Sequence, residues 1–146
     1  MDQLYKIAGT VMGFFDAFKG SRPAIDNKKI LIVRGRSRTA IPISQFEEKL
    51  EEVGKELGAE EVTNNDKISE ILETGDKQIK STENSTAVVD SSGFLQMKKE
   101  LESMGLVAEY KVFEVSGCYI VIAIWEDKNE IPPLYVEVTV SRNEGE

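Results

Sequence analysis

Apolar residues recur at helical spacing from the start of the chain. Leu4, Ile7, Ala8, Val11, Met12, Phe14, Phe15 and Phe18 follow an i, i+3, i+4, i+7 pattern. Asp2, Lys6, Gly9, Thr10, Gly13 and Asp16 fall on the other side, Gly20 is a natural stop, and Pro23 lies just beyond. The pattern predicts an amphipathic helix over residues 2–19, laid on the core of its own domain. The same apolar face is the expected route to self-association. A membrane-surface anchor fits less well, because such helices carry Lys and Arg along the polar face and this one has only Lys6 and Lys19. The Gly9/Gly13 spacing has meaning mainly in a fully apolar helix.

Residues 20–27, Gly-Ser-Arg-Pro-Ala-Ile-Asp-Asn, read as a loop. Ile30–Val33 is an apolar run rich in β-branched residues, as in a strand covered on both faces. Ser44-Gln45-Phe46-Glu47 matches a capping box, with Ser44 as the cap and Glu47 reaching back. Phe46, Leu50, Val53 and Leu57 then form one stripe, ended by Gly58. Glu61-Val62-Thr63 predicts a short strand. Asn65 or Asp66 predicts the cap of a helix carrying Ile68, Ile71 and Leu72 and ending at Gly75. Residues 74–85 are polar and predicted to be a mobile loop.

Ala87-Val88-Val89 predicts a second buried strand ending at Asp90. The next helix should bury Phe94, Met97, Leu101 and Met104 and stop at Gly105. The period then changes to two. Leu106–Val115 and Cys118–Trp125 predict strands joined by a tight turn at Ser116-Gly117, the second of them apolar on both faces and therefore central. Leu134, Val136, Val138 and Val140 alternate with Tyr135, Glu137 and Thr139, which predicts a half-buried strand before a polar tail at 142–146. The order gives an α/β fold over one domain, residues 1–146. It is a single mixed sheet of about five strands, with helices against it, parallel crossovers early and an antiparallel meander at the end.

Composition narrows the chemistry. The 146 residues include one cysteine and no histidine. The lone Cys118, among apolar neighbours, excludes an internal disulfide and reads as a buried hydrophobe. Without histidine there is no Ser-His or Cys-His pair and no His-containing zinc site. No cofactor is expected. No run approaches the ~18 apolar residues of a membrane span, and Met1-Asp2-Gln3 is not a signal-peptide start, so the expectation is a cytoplasmic protein.

Charge is uneven. The net charge is −8, yet Lys19, Arg22, Lys28, Lys29, Arg34, Arg36 and Arg38 lie together with Asp26 as the one acid among residues 19–38. Arg34, Arg36 and Arg38 follow the strand at 30–33 and, if extended, share one side. If strands 30–33 and 87–89 are parallel, this loop and Ser91-Ser92-Gly93 open on the same edge, where helix N-termini attract anions. Arg34, Arg36, Arg38, Ser91, Ser92 and Gly93 are thus the candidate binding residues for an anion or a partner. The competing explanation is that the arginines pair with acids of the same chain. Asp90 reads as a helix cap or turn residue. The expectation is a non-catalytic interaction or regulatory domain that binds a protein or anionic partner, with nucleic acid as the alternative ligand. Tyr119 and Trp125 could offer a base-stacking platform, but core packing accounts for them better.

Asp90, with Glu109-Tyr110-Lys111, resembles the Asp…Glu-x-Lys signature of the PD-(D/E)xK nucleases. The resemblance implies Mg²⁺ held by Asp90 and Glu109, with Lys111 assisting hydrolysis. It covers four residues and departs in context: a whole predicted helix separates the Asp from the Glu, and a hairpin follows.

Overall fold

The computed structural model describes residues 3–15, 22–26, 30–37, 45–81, 94–115, 117–129 and 133–142. Within them lie α1 (Gln3–Phe14), β1 (Arg22–Asp26), β2 (Ile30–Ser37), α2 (Phe46–Leu57), β3 (Glu60–Glu61), α3 (Asn65–Ser81), α4 (Phe94–Ser103), β4 (Glu109–Val115), β5 (Cys118–Glu126) and β6 (Leu134–Arg142). The strands form one sheet in the order β1-β2-β6-β5-β4-β3. The α/β class, the single sheet with helices against it and the closing meander are those the sequence predicts.

The pairing differs from expectation. Every described pair is antiparallel. Residues 22–26, expected as loop, form β1 and pair with β2. Both edges of β2 are taken by antiparallel partners, β1 and β6, so no parallel strand lies beside it. The segment 87–89 lies outside the described residues, as do Ser44, Phe18 and the tail from 143.

The meander follows from turn chemistry and period. Val115 pairs with Cys118 across Ser116-Gly117, and Gly117 takes φ +79, a left-handed conformation that glycine adopts without strain. β5 sits between β4 and β6 and is buried along nearly its whole length. β6 is buried on both faces too, against the half-buried prediction: Glu137, Thr139 and Ser141 are 2%, 8% and 7% exposed. The alternation is real, but the polar side is covered.

Two cores result, one on each face of the sheet. The first joins Leu4, Ile7, Val11, Met12 and Phe15 of the N-terminal segment and Phe46, Leu50 and Val53 of α2 to Leu31, Val33, Ile120, Ile122, Val136 and Val138. The α1 stripe is therefore buried within the chain itself. Phe15 follows the helix, and its carbonyl accepts a 2.6 Å hydrogen bond from Ser37 Oγ, which ties the end of α1 to β2. The second core joins Ile71 and Leu72 of α3 and Leu101 of α4 to Val112, Val121, Ala123 and Trp125.

The helix ends follow local chemistry, with small shifts. α2 starts at Phe46 with Gln45 as its cap, and no Gln45 side-chain hydrogen bond closes it. Its C-terminus is a Schellman motif: Ala59 N–H donates to Gly54 O at 2.9 Å and Gly58 N–H to Lys55 O at 3.1 Å, with Gly58 at φ +67. α3 is capped by Asn64, whose Oδ1 accepts from Lys67 N–H at 3.0 Å. It runs through Gly75 to Ser81, because one glycine costs a helix only about 1 kcal/mol. The expected loop at 74–85 is thus helical up to Ser81. Met104, predicted to face inward, is 64% exposed, since α4 has already ended at Ser103. No described helix is long and apolar enough to cross a membrane.

Gly54 marks the tightest helix–sheet approach: a Cβ there would lie 2.5 Å from Phe113 Cε1. Gly54→Ala is expected to destabilise the fold by about 1–3 kcal/mol through overpacking. Gly13→Ala, with nothing within 4 Å of the added carbon, should instead gain about 0.5–1 kcal/mol. Urea unfolding of the two variants checks both signs.

Candidate functional site

The arginine segment is strand, not loop, as far as Ser37. The β2 register fixes its neighbours. Arg34 stands opposite Arg22 of β1 on one side and Glu137 of β6 on the other. Arg36 stands opposite Tyr135, and Tyr135 opposite Trp125 of β5. Positions 34 and 36 share a sheet face, as the alternation predicts. Arg38, Ser91, Ser92 and Gly93 lie outside the described residues, as does Asp90.

Two features of this end had no local signal in the sequence. The first is an aromatic layer. The Trp125 and Tyr135 rings stack with centroids 5.4 Å apart and planes 4° from parallel. The Arg36 guanidinium carbon lies 5.3 Å from the Tyr135 centroid, and Arg36 Nε donates to Tyr135 Oη at 3.1 Å. Trp125 therefore partners Tyr135, not Tyr119, and it belongs to the second core, as core packing requires. The second feature is Glu137, a carboxylate at 2% exposure in a central strand. It is engaged by another group of the protein, as a buried carboxylate must be.

The nuclease-like residues fall elsewhere. Glu109 and Lys111 share a face of β4, and both line a cavity of about 450 Å³ with Glu47, Glu61, Thr63 and Tyr110 around a floor that includes Leu50 and Val112. Lys111 does not face this space unengaged. Its Nζ donates to Glu61 Oε2 and Oε1 at 3.2 and 3.3 Å and lies 3.5 Å from Glu47 Oε1. Its side chain is only 12% exposed. Burial disfavours the ammonium, but the hydrogen bonds and charge of Glu61, and then Glu47, outweigh it and raise the Lys111 pKa above the ordinary value. Such a lysine is a cation at neutral pH and no general base. Among the described residues, no three acidic or cysteine side chains are grouped to hold a metal ion.

Fold and charge together define a small α/β protein: a six-stranded antiparallel sheet between helices on both faces, with arginines gathered at one end. The chain belongs to the DUF2120 family, described as uncharacterised proteins conserved in archaea, whose family model matches residues 6–140. It is similar to the uncharacterised protein MJ0491 of Methanocaldococcus jannaschii, at 27% identity over 140 residues, covering 89% of this chain and 77% of the relative. No solved structure matches.

The Lys111 cluster has a defined pH signature. Its folded pKa lies above 10.5, so its contribution to stability is complete below about pH 10.5 and is lost as pH rises through the higher folded value. An NMR titration of the Lys111 side chain should show late deprotonation, and Glu61→Gln should bring it earlier. Titration at or below the ordinary lysine value contradicts the assignment.

Proposed function

We propose that the protein is a non-catalytic binding module that recognises a polyanionic or acidic partner through the end of the sheet bearing Arg22, Arg34 and Arg36, with Arg38 next in sequence. The observation that supports this reading is the convergence of these arginines. The β1–β2 register sets Arg22 against Arg34, and Arg36 follows two residues later. Like charges directly opposite in a sheet are destabilising unless something negative accompanies them. Glu137 is the acidic residue that the register sets beside Arg34 in that row. The rest of this acidic chain repels polyanions and so directs them to this end.

The nuclease reading of Asp90, Glu109 and Lys111 is weaker, because Lys111 is already held by two carboxylates. Self-association through the N-terminal helix is weaker as well, because its apolar residues are buried in the chain's own core.

The test uses a triple variant, Arg22→Ala, Arg36→Ala and Arg38→Ala, which leaves Arg34 opposite Glu137. Anisotropy with labelled duplex DNA, single-stranded RNA and polyglutamate, at low and physiological salt, is expected to show wild-type binding to at least one of them. Were three arginines each to neutralise one duplex phosphate, log K against log salt would slope by about −2.7. The variant should lose that binding while keeping its circular dichroism. Absence of binding to all three probes, or unchanged binding by the variant, overturns the reading.

A further inference from the structure

We propose that the cavity at the β3–β4 edge of the sheet binds a small aliphatic diamine, its ammonium groups among Glu47, Glu61 and Glu109 and its carbon chain against the apolar wall. β3 and β4 close the edge opposite to β1 and β2, so this site is separate from the arginine end and stands or falls without it.

Four elements build the cavity. α2 contributes Glu47, β3 Glu61, α3 Ile68, and β4 Glu109 and Lys111. Its volume, about 450 Å³, falls among those of small-molecule sites, roughly 300–1,000 Å³. Val62 and Ile68 line it and are half-buried, so they present apolar surface to an occupant. An apolar wall with a few polar groups around it is the make-up of a ligand pocket. The solvated glutamates on the outer face of α2 have no such wall.

The charge of the lining is unbalanced. Lys111 is its one cation, against Glu47, Glu61 and Glu109. The Lys111 ammonium donates to both oxygens of Glu61, at 3.2 and 3.3 Å, and lies 3.5 Å from Glu47. The Glu109 side chain enters no hydrogen bond or ion pair among the described residues. Lysines of the adjacent helices are turned to aromatic rings instead: Lys49 to Phe14, Lys67 to Tyr119 and Lys98 to Tyr110, at 5.4, 5.8 and 5.3 Å from the ring centroids. None of the three lines the cavity. Three carboxylates and one ammonium leave a surplus of two negative charges, and a cleft with low-dielectric walls focuses such a field on a cation.

An organic cation suits this lining better than a metal ion. Mg²⁺ or Ca²⁺ needs several oxygens within about 2.0–2.6 Å of one point, and among the described residues no three acidic side chains converge to hold one. A flexible diamine tolerates carboxylates spread over α2, β3 and β4, and its two ammonium groups match the surplus. Each makes charge-assisted hydrogen bonds to carboxylate oxygens, while the carbon chain between them covers Val62 and Ile68.

The experiment follows backbone amide NMR shifts of the full chain during titration with diaminobutane, with butanediol as its uncharged counterpart, and with Mg²⁺. The expected result is saturable diamine binding with shifts centred on residues 62–63 and 108–112, about tenfold tighter than the diol or Mg²⁺. Glu109→Gln should weaken the diamine about tenfold, the loss of one charge-assisted hydrogen bond. Glu52→Gln, exposed on α2 and outside the cavity, should hold affinity within about twofold, as an ordinary surface charge does. The amide spectrum itself reports whether each variant is folded. If Glu109→Gln is not, Glu47→Gln, whose side chain is 73% exposed, takes its place with the same expectation.

No saturable shift, equal binding of the diol or of Mg²⁺, shifts spread along the outer face of α2, or equal losses in the cavity and surface variants overturns the assignment.

Discussion

A carboxylate at the centre of the sheet sets the terms for everything around it. Glu137 lies in β6 between β2 and β5 at 2% exposure. An isolated buried charge costs several kcal/mol, so burial demands compensation. In register, position 137 faces Arg34 on one side and Ala123 on the other. The register thus sets a small residue on one side of position 137 and a basic residue type on the other. A slip of one residue would turn Glu137 toward the α1–α2 core and Val136 or Val138 away from it. The polar side chain at 137 and the valines at 136 and 138 thus favour the same β2–β6 register.

That constraint carries over to the surface. With β2 fixed against β6, Arg36 must fall beside Tyr135, and β5 must bring Trp125 beneath that ring. Charge and stacking meet at one end of the sheet because a single register determines both. The sheet's own edges are guarded. β1 contains Pro23 and a register irregularity before Ile25, and β3 is two glutamates long. Prolines, bulges and short charged strands are how edges resist pairing with other chains. Recognition by strand addition is therefore disfavoured, and the arginine end is the surface with distinctive chemistry.

Much of this was legible in the sequence. The helical stripe at the N-terminus, the Gly58 and Gly105 stops, the Ser116-Gly117 hairpin and the central place of β5 follow from period and turn chemistry. The misses have physical causes. β1 was hidden because Arg22-Pro23 carries loop signals, yet proline is tolerated on an edge strand. Glu137, Thr139 and Ser141 read as a solvent face because alternation reports only that two sides differ. It does not report that α3 and α4 cover the second side. The pairing of Arg36 with Tyr135, 99 residues apart, has no local trace. Neither does the hold of Glu47 and Glu61 on Lys111, since each residue alone looks like ordinary surface charge.

The most direct test of the account is a double-mutant cycle between Arg34 and Glu137, read by urea unfolding of wild type, Arg34→Met, Glu137→Gln and the double variant. If the pair sets the register, each single change is strongly destabilising and the double variant recovers part of the loss, with a coupling of about 1–3 kcal/mol. Additivity within about 0.5 kcal/mol would mean that the two residues do not act together, and the account of how the arginine end is built would fall with it.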